Sequence, residues 1–196
     1  MSKISLTPNA SGTGTLTIAA PNTSTDRTLT LPDETGTVMS SVSSVAASQL
    51  PAGSVLQVVT SSLTVGIQTN STTFVDTGHS ASITPSSSSN KILIMLNGGS
   101  WYNNNNANGI SYCTFYRDST NLEPTSGGGF EQNYCNAWFA YPHSASYLDS
   151  PSTTSSVTYK VYMRTGSTGT SFKYTQHNGS VSPAIPVTLT LMEIAA

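Results

Sequence analysis

Charge is what this sequence has least of. Lys and Arg number 7 and Asp and Glu number 9, which is 8% of 196 residues, against about 25% in a typical soluble domain. The net charge is −2 and the cations are scattered singly. Nucleic-acid binding needs clustered cations to displace counterions, so no nucleic-acid partner is expected. Long apolar runs are also missing. The longest, "ILIML" at residues 92–96, falls far short of the roughly 20 residues a membrane-spanning helix needs. "MSKIS" at the N-terminus lacks the apolar core of a signal peptide. Neither membrane insertion nor secretion is predicted. Cysteine is scarce, with only Cys113 and Cys135, so there is no disulfide framework. They read as two small, half-buried thiols, or as one bridge if their strands are neighbours; the missing signal peptide weighs against the bridge.

Ser and Thr supply about a third of the chain, while 36% is hydrophobic and nine Tyr, five Phe and two Trp are present. A disordered chain is poor in aromatics and richer in net charge. This composition predicts a folded, β-rich protein with a neutral, polar surface.

Three zones follow one another. Residues 1–39 contain two similar pieces, "TLTIAAP" and "TLTLP". Each alternates Thr with an aliphatic residue and stops at Pro, so Leu16 and Ile18 share one face, as do Leu29 and Leu31. "NTSTD" between them is turn chemistry, and the whole reads as a hairpin. A lone hairpin is marginal in water, so its apolar face needs copies of itself or another protein. Residues 40–51, "SSVSSVAASQLP", read as a linker ended by Pro51, or as a short helix at a three-stranded junction. Residues 52–196 carry Gly, Pro, Asn and Ser clusters between short strands, the pattern of a sandwich or barrel.

Candidate strands there are 54–62, 72–76, 80–84, 91–102, 109–117, 134–141, 156–164, 171–176 and 186–194. Val157, Tyr159, Val161 and Met163 share one face; Val187, Leu189, Leu191 and Glu193 share another. The run 92–96 suits a central strand buried on both sides. The expected fold is an all-β, antiparallel jelly-roll sandwich. If strands alternate in direction, the connections at 103–108, 142–155 and 177–185 gather at one end. Those at 85–90, 121–133 and 165–170 fall at the other end, where the N-terminal zones enter.

Catalysis needs convergent groups. Asp118, Glu123 and Glu131 lie in or beside one long loop, where a glycosidase pair is conceivable, but solvated loop carboxylates are the plainer reading. "SGGG" at residues 126–129 lacks the Lys and helix of a phosphate loop. The three histidines, His79, His143 and His177, have no metal-ligand spacing. His143 and His177 read as exposed loop residues at the distal end, or as one copy of an axial metal site in a trimer. No cofactor, no metal and no enzymatic activity are expected. The distal loops carry glycan-binding vocabulary: Trp101 and Tyr102 before Asn103, Asn104, Asn105 and Asn106, with Tyr141, His143, Tyr147 and His177 nearby. Aromatic planes stack on sugar rings and amides bond hydroxyls. The competing reading makes Trp101 and Trp138 core or interface residues.

The stretch "SGTGTLTIAAPNTSTDRTLTLPDETGTV" resembles a segment of tailed-bacteriophage structural proteins, especially tail fibres. "PAGSVLQVV" followed by "STTFVDTGHSASITPSSSSNKILIMLNGG" resembles phage fibre head domains. Together they span about half the chain. The resemblance implies a homotrimeric virion component. Residues 1–39 would attach it to other virion proteins, with Leu16, Ile18, Leu29, Leu31 and Val38 buried there. Residues 52–196 would form a knob that binds a host-surface glycan or protein. Fibres of this kind have long shafts and this chain has almost none, so the expectation is a short tail fibre; a capsid decoration or head-fibre protein and a surface-glycan depolymerase are the alternatives.

Overall fold

A computed structural model describes residues 10–15, 17, 19, 22–26, 28, 45, 47–103, 109–123, 127–135, 140–166, 172–174 and 185–196. The chain divides into two compact units, 1–43 and 44–196. In the first, residues 22–25 include a bend in which the Thr25 N–H donates to the Thr23 hydroxyl at 3.1 Å. That is the side-chain turn expected of "NTSTD". Leu16, Ile18, Leu29, Leu31 and Val38 lie outside the described residues.

The second unit is an antiparallel β-sandwich. After a single 3-10 turn, Ala47–Gln49, come β1 (Val55–Leu63), β2 (Ile67–Thr69), β3 (Val75–Ile83), β4 (Lys91–Asn103), β5 (Gly109–Arg117), β6 (Thr120–Asn121), β7 (Glu131–Cys135), β8 (Ala140–Asp149), β9 (Val157–Thr165), β10 (Phe172–Tyr174) and β11 (Val187–Ile194). One sheet runs β8-β4-β11-β1, with β10 and β2 added where β4 outruns β11; the other runs β3-β9-β5, with β7 and β6 pairing the free side of β5. The eight long strands cross between the sheets in jelly-roll order.

Period-two alternation builds the core. β9 buries Val157, Tyr159, Val161, Met163 and Thr165, and β11 buries Val187, Leu189, Leu191 and Glu193. Ile92, Ile94 and Leu96 of β4 complete the facing layer. The expectation that 92–96 is buried on both sides holds for one side only: Leu93 and Met95 are half-buried on the outer face, which no third layer covers among the described residues.

Two strands depart from the sequence reading. The segments 72–76 and 80–84 are one strand, β3, kinked by a bulge between Asp76 and Ser80. Gly78 sits there at φ +73, and its N–H donates to Asp76 Oδ1 at 2.7 Å. The segment 134–141 is two strands: β7 ends at Cys135 and β8 runs from Ala140 through Pro142 to Asp149. Pro142 lies on an edge strand opposite a bulge in β4 between Gly98 and Trp101, where a missing N–H costs no regular ladder bond.

Val55, Lys91, Ile194 and Asp149 mark one end of the sandwich through their register. Here the Gly53 N–H donates to the Ala195 carbonyl at 2.8 Å and the Ala195 N–H to the Ser54 carbonyl at 2.9 Å. Buried Glu193 accepts from Asn90 Nδ2 at 2.7 Å, Gln57 Nε2 at 2.6 Å, and the Ser86 hydroxyl and N–H at 2.8 and 2.7 Å. Burial by itself would raise its pKa; these bonds outweigh burial and hold it below the ordinary value.

Candidate functional site

Several described strands begin or end at the end of the sandwich opposite Val55. Asn103 lies at the tip of β4, paired with Phe172. Gly109 pairs Cys135, Ser111 pairs Thr165, and Gly98 pairs Val187. The connections after Asn103, Cys135, Thr165 and Tyr174 therefore all leave from or return to this distal end. The grouping expected from strand alternation is right for 103–108 and corrected for two others. Because β7 and β8 are separate strands, residues 150–156 join β8 to β9 at the Val55 end, and the chain beyond Thr165 emerges distally.

The expected receptor residues divide accordingly. Asn104, Asn105, Asn106 and His177 lie outside the described residues. Trp101, Tyr102 and Asn103 belong to β4, and Trp101 pairs Tyr141 of β8. Tyr141 is 45% exposed and Tyr134, which sequence reasoning passed over, is 56% exposed; both stand toward the distal end. His143 is not a loop residue: it sits in β8 and is 1% exposed. Tyr147 is also in β8, packed against the core and 4.7 Å from the Phe130 ring.

Beneath the distal end, polar side chains from both sheets meet inside the core. Gly98 pairs His143 in the row that contains buried Val187, which turns His143 inward. Cys113 pairs Glu131 across β5 and β7. Glu131 bridges the sheets, with His143 Nδ1 at 2.9 Å from Oε2 and the Ser144 N–H donating to Oε1 at 2.9 Å. A Cys113 sulfur, a Glu131 oxygen and a His143 nitrogen lie within 4.8 Å of one another. The His143 ring is 4.7 Å from the Tyr174 ring. The Tyr174 hydroxyl is 2.8 Å from His79 Nδ1, and His79 Nε2 is 2.9 Å from the Ser61 carbonyl. A carbonyl only accepts, so Nε2 carries the proton and Tyr174 donates to Nδ1.

Burial sets the charge states here. It lowers the His79 pKa against a hydrogen bond to Ser61 that raises it, with His143 adding a lowering effect. It pushes the Tyr174 hydroxyl and the Cys113 thiol well above their ordinary values, Glu131 contributing to both. Cys113 is therefore a protonated, enclosed thiol and not an activated nucleophile. Cys135 pairs Gly109, four residues along β5 from Cys113, so about 13 Å of strand separates the two backbones. A disulfide tolerates no more than about 7 Å between Cα atoms, which leaves Cys113 a free thiol.

Three described carboxylates outside this cluster hold structure. Asp149 binds Arg117 and the Tyr159 hydroxyl, Asp118 accepts from the Thr158 N–H at 3.0 Å, and Asp76 serves the β3 bulge. On the outer face of the β3-β9-β5 sheet, Tyr116 stacks on Tyr162 at 3.8 Å. Arg164 lies over Tyr112 at 3.8 Å and donates to the Gly127 carbonyl. Sequence reasoning sought the surface aromatics in loops and missed this row, although alternation places Tyr112 and Tyr116 on one face.

No protein-family model matches this sequence, and no curated protein matches it at a significant level.

Proposed function

We propose that this chain is a phage virion structural protein. In this reading it is a short tail fibre, held by its N-terminal segment, whose knob binds the host surface through its distal loops. The observation that carries the reading is the division of labour between the two ends of the sandwich. The chain enters β1 at Val55 and leaves β11 at the same end. The connections after Asn103, Cys135, Thr165 and Tyr174 leave from or return to the other, where Tyr134 and Tyr141 are exposed. A knob tethered at one end and presenting loops at the other suits attachment, and jelly rolls commonly serve as viral and lectin domains; that last point is analogy of fold. The phage-like N-terminal stretch supplies the anchor.

Trimer formation draws support from the outer face of the β8-β4-β11-β1 sheet. Leu148, Leu93, Met192 and Val58 stand in one cross-strand row, with Val58 53% and Leu148 46% exposed. Ile194 and Val55 continue the row toward the chain-entry end, and Val55 is 50% exposed. Lys91 is the charged residue at its margin. An apolar strip of this kind on a neutral face fits packing against further copies.

The test is imaging of the particle that carries the protein, with competition by the purified chain. The reading expects residues 1–50 seated in the tail, and soluble protein that slows adsorption to host cells. Knobs on the capsid and unchanged adsorption would replace it with a capsid decoration.

A further inference from the structure

We propose that Cys113, Glu131 and His143 form a binding site for one divalent transition metal ion, zinc by its donor set, that pins the two sheets together below the distal loops. Cys113 and Glu131 come from neighbouring strands of one sheet and His143 from the other. Three different donors from three strands thus converge on one point in the interior. This inference is independent of what the knob binds.

The geometry lies close to what zinc requires. Tetrahedral zinc with Zn–N and Zn–O bonds near 2.0–2.2 Å sets those donors about 3.3 Å apart. His143 Nδ1 and Glu131 Oε2 are already 2.9 Å apart, held by the hydrogen bond whose proton a metal would replace. A Zn–S bond near 2.3 Å puts sulfur about 3.6 Å from the other two donors. The 4.8 Å limit on the present separations asks for closure of at most about 1.2 Å, within reach of small side-chain rotations. Mixed thiolate, imidazole and carboxylate donors suit zinc or cobalt and not magnesium or calcium. Three protein ligands leave a fourth position for water.

Charge also favours a cation. A carboxylate beside a buried thiol makes the thiolate costly, since both are anionic in a medium that screens weakly. A divalent ion between them neutralises both; the thiol proton passes to solvent, and the imidazole binds through Nδ1 with its one proton on Nε2. Glu131 supplies the route in, because its side chain is 14% exposed while that of His143 is fully covered.

The experiment is cobalt titration of the full chain after chelator treatment, under reducing conditions. The expected result is saturation at one Co²⁺ per chain. A thiolate-to-cobalt charge-transfer band and the strong visible bands of tetrahedral cobalt should appear, and zinc should abolish both. Cys113→Ser should lose the charge-transfer band and Cys135→Ser should keep it. Glu131→Gln should weaken binding by at least about 10-fold, the lower range for carboxylates that only orient a ligand. Absence of the band in the wild-type chain at excess cobalt overturns the proposal whatever the variants do. A band that survives Cys113→Ser, or Cys113→Ala should the serine variant misfold, overturns it equally.

Discussion

Arg117 and Asp149 meet through one guanidinium nitrogen that lies 2.9 Å from each carboxylate oxygen. They belong to β5 and β8, so the pair ties one sheet to the other. Asp149 also accepts from the Tyr159 hydroxyl at 2.7 Å. The Asp149 side chain is nearly buried and that of Arg117 is 27% exposed. Full burial would make removal of one partner cost about 3–5 kcal/mol; partial exposure of Arg117 lowers this. Asp149→Asn should destabilise by about 2 kcal/mol, read by urea unfolding. Arg117→Met should cost at least as much, since it leaves the nearly buried Asp149 carboxylate without its cation.

Glu193 sets an acid limit. Its folded pKa lies below the unfolded one, so the stability it contributes is fully present above the unfolded value, near 4.5. That contribution is lost as pH falls through the folded value. Glu193→Gln should cost about 2–3 kcal/mol at pH 7, because an amide donor then faces the donors of Asn90 and Ser86. The difference between variant and wild type should shrink below pH 4. A constant gap across the thermal melts would contradict this.

Gly99 tests the β4 bulge. It has φ +64, and an added Cβ would stand 2.8 Å from Val187 Cβ and 3.2 Å from His143 Cδ2. Gly53 also has positive φ, +88, but an added Cβ meets nothing within 4 Å. Gly53→Ala should cost only the backbone strain, about 1–2 kcal/mol. Gly99→Ala should cost clearly more, the excess measuring the overlap. Equal losses in denaturant melts would mean that Val187 and His143 yield freely.

The apolar strip predicts assembly behaviour. Val58→Lys with Leu148→Lys should leave circular dichroism and the melting transition of the separated chain intact. In light scattering the proposed trimer, three times 20.5 kDa, should fall to 20.5 kDa. An unchanged assembly mass would remove this face from the interface.

Much of the sandwich was legible because alternation records burial. The bounds of β5 match the sequence reading, and the inward set ending in Glu193 was read from period two alone. Glycine and proline misled in both directions. Gly78 falls in the break read between 72–76 and 80–84 and is a bulge within one strand. Pro142 read as a terminator and is tolerated at an edge, which moved two connections to the wrong end. The convergence of Cys113, Glu131 and His143 had no local signal. Register between strands 18 residues apart, and packing between sheets, brings the three together, and neither is visible in spacing. The one available clue was that Cys113 occupies an inward position of β5, which marks it as interior without naming its neighbours.

The paired bonds between Gly53, Ser54 and Ala195 have a practical consequence. The first and last strands of the sandwich begin and end side by side, so the unit from 53 to 195 has its two ends within one hydrogen bond. Such a unit can be spliced as a cassette into a surface turn of an unrelated carrier, or reopened at 150–156 with its old ends joined. The spliced form would present the distal loops outward on whatever scaffold receives it.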